Sequence, residues 1–205
     1  MAAGIIALAL EANPTLTWRD VQHLVVLTSR GSSGNYLKSD DWKTNGAGRE
    51  YSHSYGFGLM DADAITEMAS NWTNVPEQHI CDSPEFISEN GLLESSANAS
   101  DCASEISSLE HVHLFIDLDS TSRRGDLSVS LTSPSGTTSR LLNFRPFDNQ
   151  PVGFASFGNW PMMSVHFWGE NVTGDASNDW TLRINNRGNG VASLKRWKLR
   201  FYGTN

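Results

Sequence analysis

Apolar residues follow two different rhythms along this chain, and the rhythm changes near residue 75. The stretch from Ala2 to Ala12 is almost entirely apolar, which predicts a helix lying in the interior of something larger than itself, and Pro14 ends it. Thr17-Trp18-Arg19-Asp20 offers an N-cap with an acid three residues on. Val21, Leu24, Val25 and Thr28 then supply one helical face, so a second helix is expected to about Ser29. Residues 30–58 are rich in Gly, Ser and Asn and read as an extended loop, with Gly46, Gly48, Gly56 and Gly58 allowing tight turns. Asp61 is placed to cap a short helix through Ala69 whose apolar stripe is Ala62, Ile65, Met68 and Ala69. Three helices without strands leave a core unfinished, as in the truncated end of a domain.

From Asn71 to Cys81 the chain is polar and carries Pro76, as a linker does. Beyond it the period becomes two. Val112, Leu114, Ile116 and Leu118 point one way, and so do Leu127, Val129 and Leu131, then Trp180, Leu182 and Ile184, then Trp197, Leu199 and Phe201. Between these half-buried strands stand turn sequences: Arg124-Gly125-Asp126, Ser133-Pro134-Ser135-Gly136 and Asn186-Arg187-Gly188-Asn189-Gly190. The pattern predicts an all-β sandwich after an incomplete helical segment, with no internal repeat.

Composition narrows the function. The chain has 205 residues, 39% hydrophobic and 10% aromatic, enough for an ordinary core. A net charge of −8, from 15 basic and 23 acidic residues, disfavours a partner made of phosphates, so nucleic acid is set aside. No apolar run approaches the ~20 residues of a membrane span. The opening MAAGIIALAL has the apolar character of a secretory signal, but no basic residues precede it and no clear cleavage site follows, so it reads as a buried helix. Cys81 and Cys102 are the only cysteines, and three sequons begin at Asn71, Asn98 and Asn171. Together they favour a secretory compartment and a disulfide, the alternative being two buried free thiols.

The stretch AAGIIALALEANPTLTWRDVQHLVV resembles the helix and following segment just after the nucleophilic serine of furin/kexin-like proprotein convertases, members of the subtilisin-like serine proteases. Trp42 to Gly58, with Asn45-Gly46-Ala47-Gly48 and His53-Ser54-Tyr55-Gly56-Phe57-Gly58, and then Leu59-Met60-Asp61-Ala62, resemble the last segment of that catalytic domain. Asn71-Trp72-Thr73 is similar to a glycosylated linker. Leu109-Glu110-His111, Arg123-Arg124-Gly125-Asp126-Leu127, Leu131-Thr132-Ser133-Pro134, the Gly153-to-Trp160 loop, Trp168-Gly169-Glu170 and Tyr202-Gly203-Thr204 follow in the order of a P domain. The resemblance implies an α+β fragment. Residues 1–70 would be the end of a subtilisin-like α/β domain, 71–80 a linker, and 81–205 a jelly-roll-type P domain. It also implies that the catalytic Asp, His and Ser lie before Met1, so that no catalytic residue and no cofactor belong to this chain. The parent would be a calcium-dependent endopeptidase that cleaves secretory proproteins after paired basic residues, in the Golgi, secretory granules or outside the cell. The rest of the catalytic domain would be the partner of these helices.

Several tempting sites have plainer readings. Arg124-Gly125-Asp126 could be displayed on a hairpin for adhesion, yet a Gly turn is needed there between two strands, so it reads as a structural turn. His111 and His113 share a strand face without a Cys or carboxylate at metal-binding spacing and read as solvent-facing or edge residues. Asp61-Ala62-Asp63 starts like a calcium loop, but Ile65 and Thr66 break the pattern, so the acids read as caps. Ser54 beside His53 lacks the geometry of a nucleophile and its base. Trp160, Trp168, Trp180 and Trp197 read as core rather than as a sugar platform. The competing function is a non-enzymatic secreted module that binds through its loops or the Arg-Gly-Asp turn.

Overall fold

The computed structural model describes residues 1–32, 37–88, 91–150, 157–174 and 179–205. Residues 33–36 of the expected long loop and residues 153–156 of the Gly153-to-Trp160 loop lie outside the described residues. The chain divides into two units, Met1–Thr44 with Gly48–Glu77, and Asn45–Ala47 with Gln78–Asn205.

The first unit holds α1 (Ala2–Ala12), α2 (Trp18–Thr28) and α3 (Ala62–Ser70). α2 begins where the sequence places it: the Thr17 hydroxyl accepts from Asp20 N at 3.2 Å and the Asp20 carboxylate accepts from Thr17 N at 2.7 Å, a reciprocal cap. Asp61 caps α3 by accepting from Asp63 N and Ala64 N at 3.1 and 3.2 Å. Ala9, Leu16, Leu24, Ile65 and Ala69 form the buried cluster among these helices. Two short antiparallel strands, β1 (Lys43–Thr44) and β2 (Glu50–Tyr51), pair within the segment expected to be loop. They are too short to leave a period-two signature.

Much of the apolar surface here stays open. Ala9 is the one fully buried residue of α1, while Leu8 and Leu10 are 47% and 40% exposed. Met68, assigned from its spacing to the inner stripe of α3, is exposed, and Ala62 is half-buried, so the packed stripe is Ile65 and Ala69 alone. Fully burying a leucine is worth about 1.5–3 kcal/mol, so this surface favours a covering partner.

The second unit is a sandwich of two antiparallel sheets. One sheet has the order β5 (Glu94–Ala97), β10 (Trp180–Asn186), β7 (Leu127–Thr132), β8 (Thr138–Leu142). The other runs β3 (His79–Asp82), β11 (Ala192–Thr204), β6 (Ser108–Ser120), β9 (Phe157–Ser164), with β4 (Phe86–Ile87) also on β11. From β5 onward every connection except β7 to β8 crosses between the sheets, which gives the jelly-roll character. Each alternating set in the sequence becomes an inner face: Val112, Leu114, Ile116 and Leu118 on β6 are 0–1% exposed, and Leu127, Val129, Leu131, Trp180, Leu182, Trp197, Leu199 and Phe201 are equally buried. Trp180 sits at the centre, edge-on to Phe167 at 5.0 Å between centroids and 5.3 Å from Phe201. Its indole N–H donates to Val172 O at 2.8 Å.

Cys81 on β3 is disulfide-bonded to Cys102 in the 3₁₀ turn Ser100–Cys102, across a sequence separation of 21. Closing a loop of that size is worth about 3 kcal/mol by the chain-entropy relation. Replacing both cysteines by serine is therefore expected to lower the unfolding free energy of the sandwich by about 3 kcal/mol, read by urea unfolding with midpoint and slope both fitted, since the uncrosslinked unfolded chain is less compact.

Candidate functional site

Three clusters of polar side chains organise the chain around residues singled out in the sequence. The first surrounds Asp20, which is 0% exposed. One carboxylate oxygen serves the α2 cap, and the other accepts from Trp72 Nε1 at 2.9 Å and Val75 N at 2.8 Å, so a helix start is tied to a segment 52 residues on. Burial works to raise the Asp20 pKa, but the hydrogen bonds from Thr17, Trp72 and Val75 together hold it below the ordinary carboxylate value. Sequence spacing revealed the cap; the reach to Trp72 has no local signature.

The second cluster is the Arg-Gly-Asp turn. Arg124–Asp126 is one turn of 3₁₀ helix, and the strands it joins, β6 and β7, lie in different sheets, so it is no hairpin tip. Gly125 N donates to Asp148 O at 3.1 Å and Gly125 O accepts from Arg145 N at 2.9 Å. A Cβ on Gly125 would stand 2.0 Å from Arg145 O and 2.7 Å from Asp148 O. Glycine is required by close main-chain approach rather than by the hairpin geometry the sequence suggested. The Asp126 carboxylate faces Arg123 Nε at 3.0 Å and Arg187 Nε at 3.6 Å, and its side chain is 9% exposed. Arg124 and Arg145 share Asp148, at 3.1 and 3.0 Å. An acid so enclosed is not presented to an adhesion receptor.

Asp126 gives the turn an acid response. Arg123 holds its pKa below the usual value, burial opposes this, and Arg187 adds to the lowering. A carboxylate depressed on folding stabilises above its unfolded pKa of about 4 and loses that contribution as pH falls through the folded value. The stability gap between the natural chain and Asp126→Asn is expected to be widest at neutral pH and to close below about pH 4, as measured by urea midpoints across pH.

The third cluster brings Asn45 and Gly46 into the second unit. Asn45 Nδ2 donates to His166 O at 2.9 Å and Trp168 O at 3.0 Å. Gly46 N donates to Glu170 Oε1 at 2.9 Å and to Thr137 Oγ1 at 3.0 Å. Glu170 is 2% exposed, and a Cβ on Gly46 would stand 2.3 Å from the Ser135 side chain. The motifs Asn45-Gly46-Ala47 and Trp168-Gly169-Glu170 thus meet, a pairing that separations of 123 and 124 residues hide from sequence.

The remaining candidates resolve individually. His111 and His113 lie on β6, an inner strand of its sheet, half-buried rather than at an edge; His111 meets Trp168 edge-on at 5.5 Å, and His113 lies 4.8 Å from Tyr202. Trp168, Trp180 and Trp197 are core, but Trp160 is 55% exposed, because β9 is an outer strand of its sheet. Ser54 donates to Asp41 through its hydroxyl at 3.0 Å and its amide at 3.1 Å, which makes it part of a turn. Asn71, Asn98 and Asn171 are all exposed.

Residues 1–58 match the subtilase family, and residues 109–201 match the proprotein convertase P-domain. A crystal structure of the serine protease of Aeromonas sobria shares the fold, with a TM-score of 0.75 over 98% of this chain and 43% of that one at 23% identity. Helical end and sandwich together define the class: the last part of a subtilisin-like serine protease domain followed by a P domain. Along its whole length the chain is 47% identical to proprotein convertase subtilisin/kexin type 5 of Rattus norvegicus, of which it covers 12%. It is likewise 46% identical to furin-like protease 2 of Drosophila melanogaster, covering 12%, and 45% identical to furin of Rattus norvegicus, covering 25%. The chain belongs to the furin/kexin-like proprotein convertases, as their C-terminal catalytic and P-domain region, and spans at most about a quarter of these relatives.

Calcium, which the family resemblance implies, finds no ligand cluster among the described residues. Among the described residues no three His, Cys, Asp or Glu side chains converge for a metal. Asp61 is committed to the α3 cap and to Arg30 Nε at 2.6 Å.

Proposed function

We propose that the protein carrying this chain is a calcium-dependent serine endopeptidase that processes secretory proproteins after paired basic residues. In this reading the residues of the chain do not react with substrate; the P domain keeps the catalytic domain folded. The observation that carries it is the likeness to proprotein convertases, which covers the whole chain from α1 through β11. The open apolar surface at Leu8 and Leu10 supports a covering partner in the rest of the catalytic domain, since such a face is costly in water without a cover. The disulfide and the three exposed sequons suit the secretory route, with Asn71, Asn98 and Asn171 as glycan acceptors. Ca²⁺ would be held by residues outside those described.

The full-length protein is expected to cleave a fluorogenic peptide after Lys-Arg in the presence of calcium and to lose that activity when a chelator is added. Equal cleavage of peptides without basic residues would sink the assignment. A version ending at Asn71 is expected to fold poorly and to lose activity; its recovery of full stability and turnover would overturn the stabilising role alone.

A further inference from the structure

Beside the Arg-Gly-Asp turn an open cavity of about 340 Å³ is lined by Ser122, Arg123, Asp126, Arg187, Gly188 and Gly190, among others. Ser122 is 3% exposed, and its hydroxyl is buried without a hydrogen bond among the described residues. Buried polar atoms are nearly always satisfied, so an orphan on a cavity wall calls for an occupant. Gly188 and Gly190 hold the space beside it open. A Cβ on Gly188 would come within 3.0 Å of Ser122 Oγ and 2.8 Å of Asp126 Oδ2, and one on Gly190 within 2.8 Å of Ser122 Oγ.

The charge of the cavity selects the occupant. Two guanidiniums, Arg123 and Arg187, face one carboxylate, Asp126, leaving an excess of positive charge in a chain whose net charge is −8. Both arginine side chains remain partly open, at 57% and 43% exposed, and Arg187 is held over the Phe144 ring at 4.5 Å. Asp126 is already engaged by both, so a cation gains no free carboxylate there. Arg123 already places Nε and Nη2 on Asp126 and Nη1 on Asn149 Oδ1 at 2.9 Å, so it is the remaining N–H groups of the two guanidiniums that suit an oxyanion.

We propose that this cavity binds a single oxyanion group, a carboxylate or a sulfate, with the Ser122 hydroxyl and the Arg123 and Arg187 guanidiniums as donors. Asp126 then serves as the acid that fixes both arginines for the task. The assignment is independent of the protease reading.

The test is an amide NMR titration of the full chain with sodium sulfate and, separately, sodium acetate, with sodium chloride holding ionic strength constant. Saturable shifts at the Gly188 and Gly190 amides are expected with at least one salt; sulfate marks a sulfated source and acetate a carboxylate side chain. Ser122→Ala and Arg187→Gln should each weaken the affinity by about fivefold or more, as loss of one hydrogen bond does. Ser122→Ala removes nothing that holds the turn, so it keeps the result readable even where Arg187→Gln disturbs the fold. Shifts that fail to saturate with either salt, or an affinity unchanged in Ser122→Ala, overturn the proposal.

Discussion

Trp180→Ala is expected to destabilise the sandwich by about 3–5 kcal/mol, the range for emptying a large aromatic from a packed core. Trp180 is 0% exposed and contacts Phe167 and Phe201 from the two sides, so its removal leaves a void that neither ring can close without leaving its own position. It also strands Val172 O, the acceptor of the indole N–H, inside the fold. A domain whose whole stability is about 5–15 kcal/mol stands near its threshold after such a loss. Thermal and urea unfolding of the chain would show it, and a loss below about 1 kcal/mol would contradict the placement of Trp180 at the centre of the core.

Gly125→Ala should be nearly as severe, at about 3 kcal/mol or more, because overpacking against main chain has no soft way out. The added carbon would meet Arg145 O at 2.0 Å and Asp148 O at 2.7 Å. Relief requires moving the 145–148 segment, which breaks the Gly125–Asp148 and Arg145–Gly125 hydrogen bonds and loosens the ion pairs of Asp148. Gly4→Ala provides the control, since a Cβ at Gly4 has nothing within 4 Å. Equal urea midpoints for the two variants would remove the close approach as the reason for glycine at 125.

What could be read from the sequence was the part written in local periods. Val112 through Leu118, Leu127 through Leu131 and Trp197 through Phe201 announce their inner faces by alternation, and the caps at Thr17 and Asp61 announce themselves by spacing. β4 is two residues long and β5 only four, too few for a period to emerge against the bulges and exposed positions around them. Trp160 reads as core by its type but is exposed, because aromatic identity says nothing about whether a strand lies inside a sheet or at its edge. The polar clusters were the least legible. Asp20 with Trp72, Gly125 with Arg145, and Gly46 with Glu170 are each made by chain-distant partners, and no one-dimensional pattern encodes which carbonyl a glycine must approach.

β3 and β11 lie side by side, with His79 opposite Gly203 and Cys81 opposite Phe201. Tension applied to the two ends of the sandwich therefore peels adjacent antiparallel strands apart rather than shearing them, the weaker direction for a ladder of hydrogen bonds. The Cys81–Cys102 bond interrupts the peeling only two residues in. Beyond Cys81 the pull bypasses the intervening loop and is carried by the covalent link to Cys102, just ahead of the long central strand β6, so the clasp sets how far mechanical fraying can travel inward.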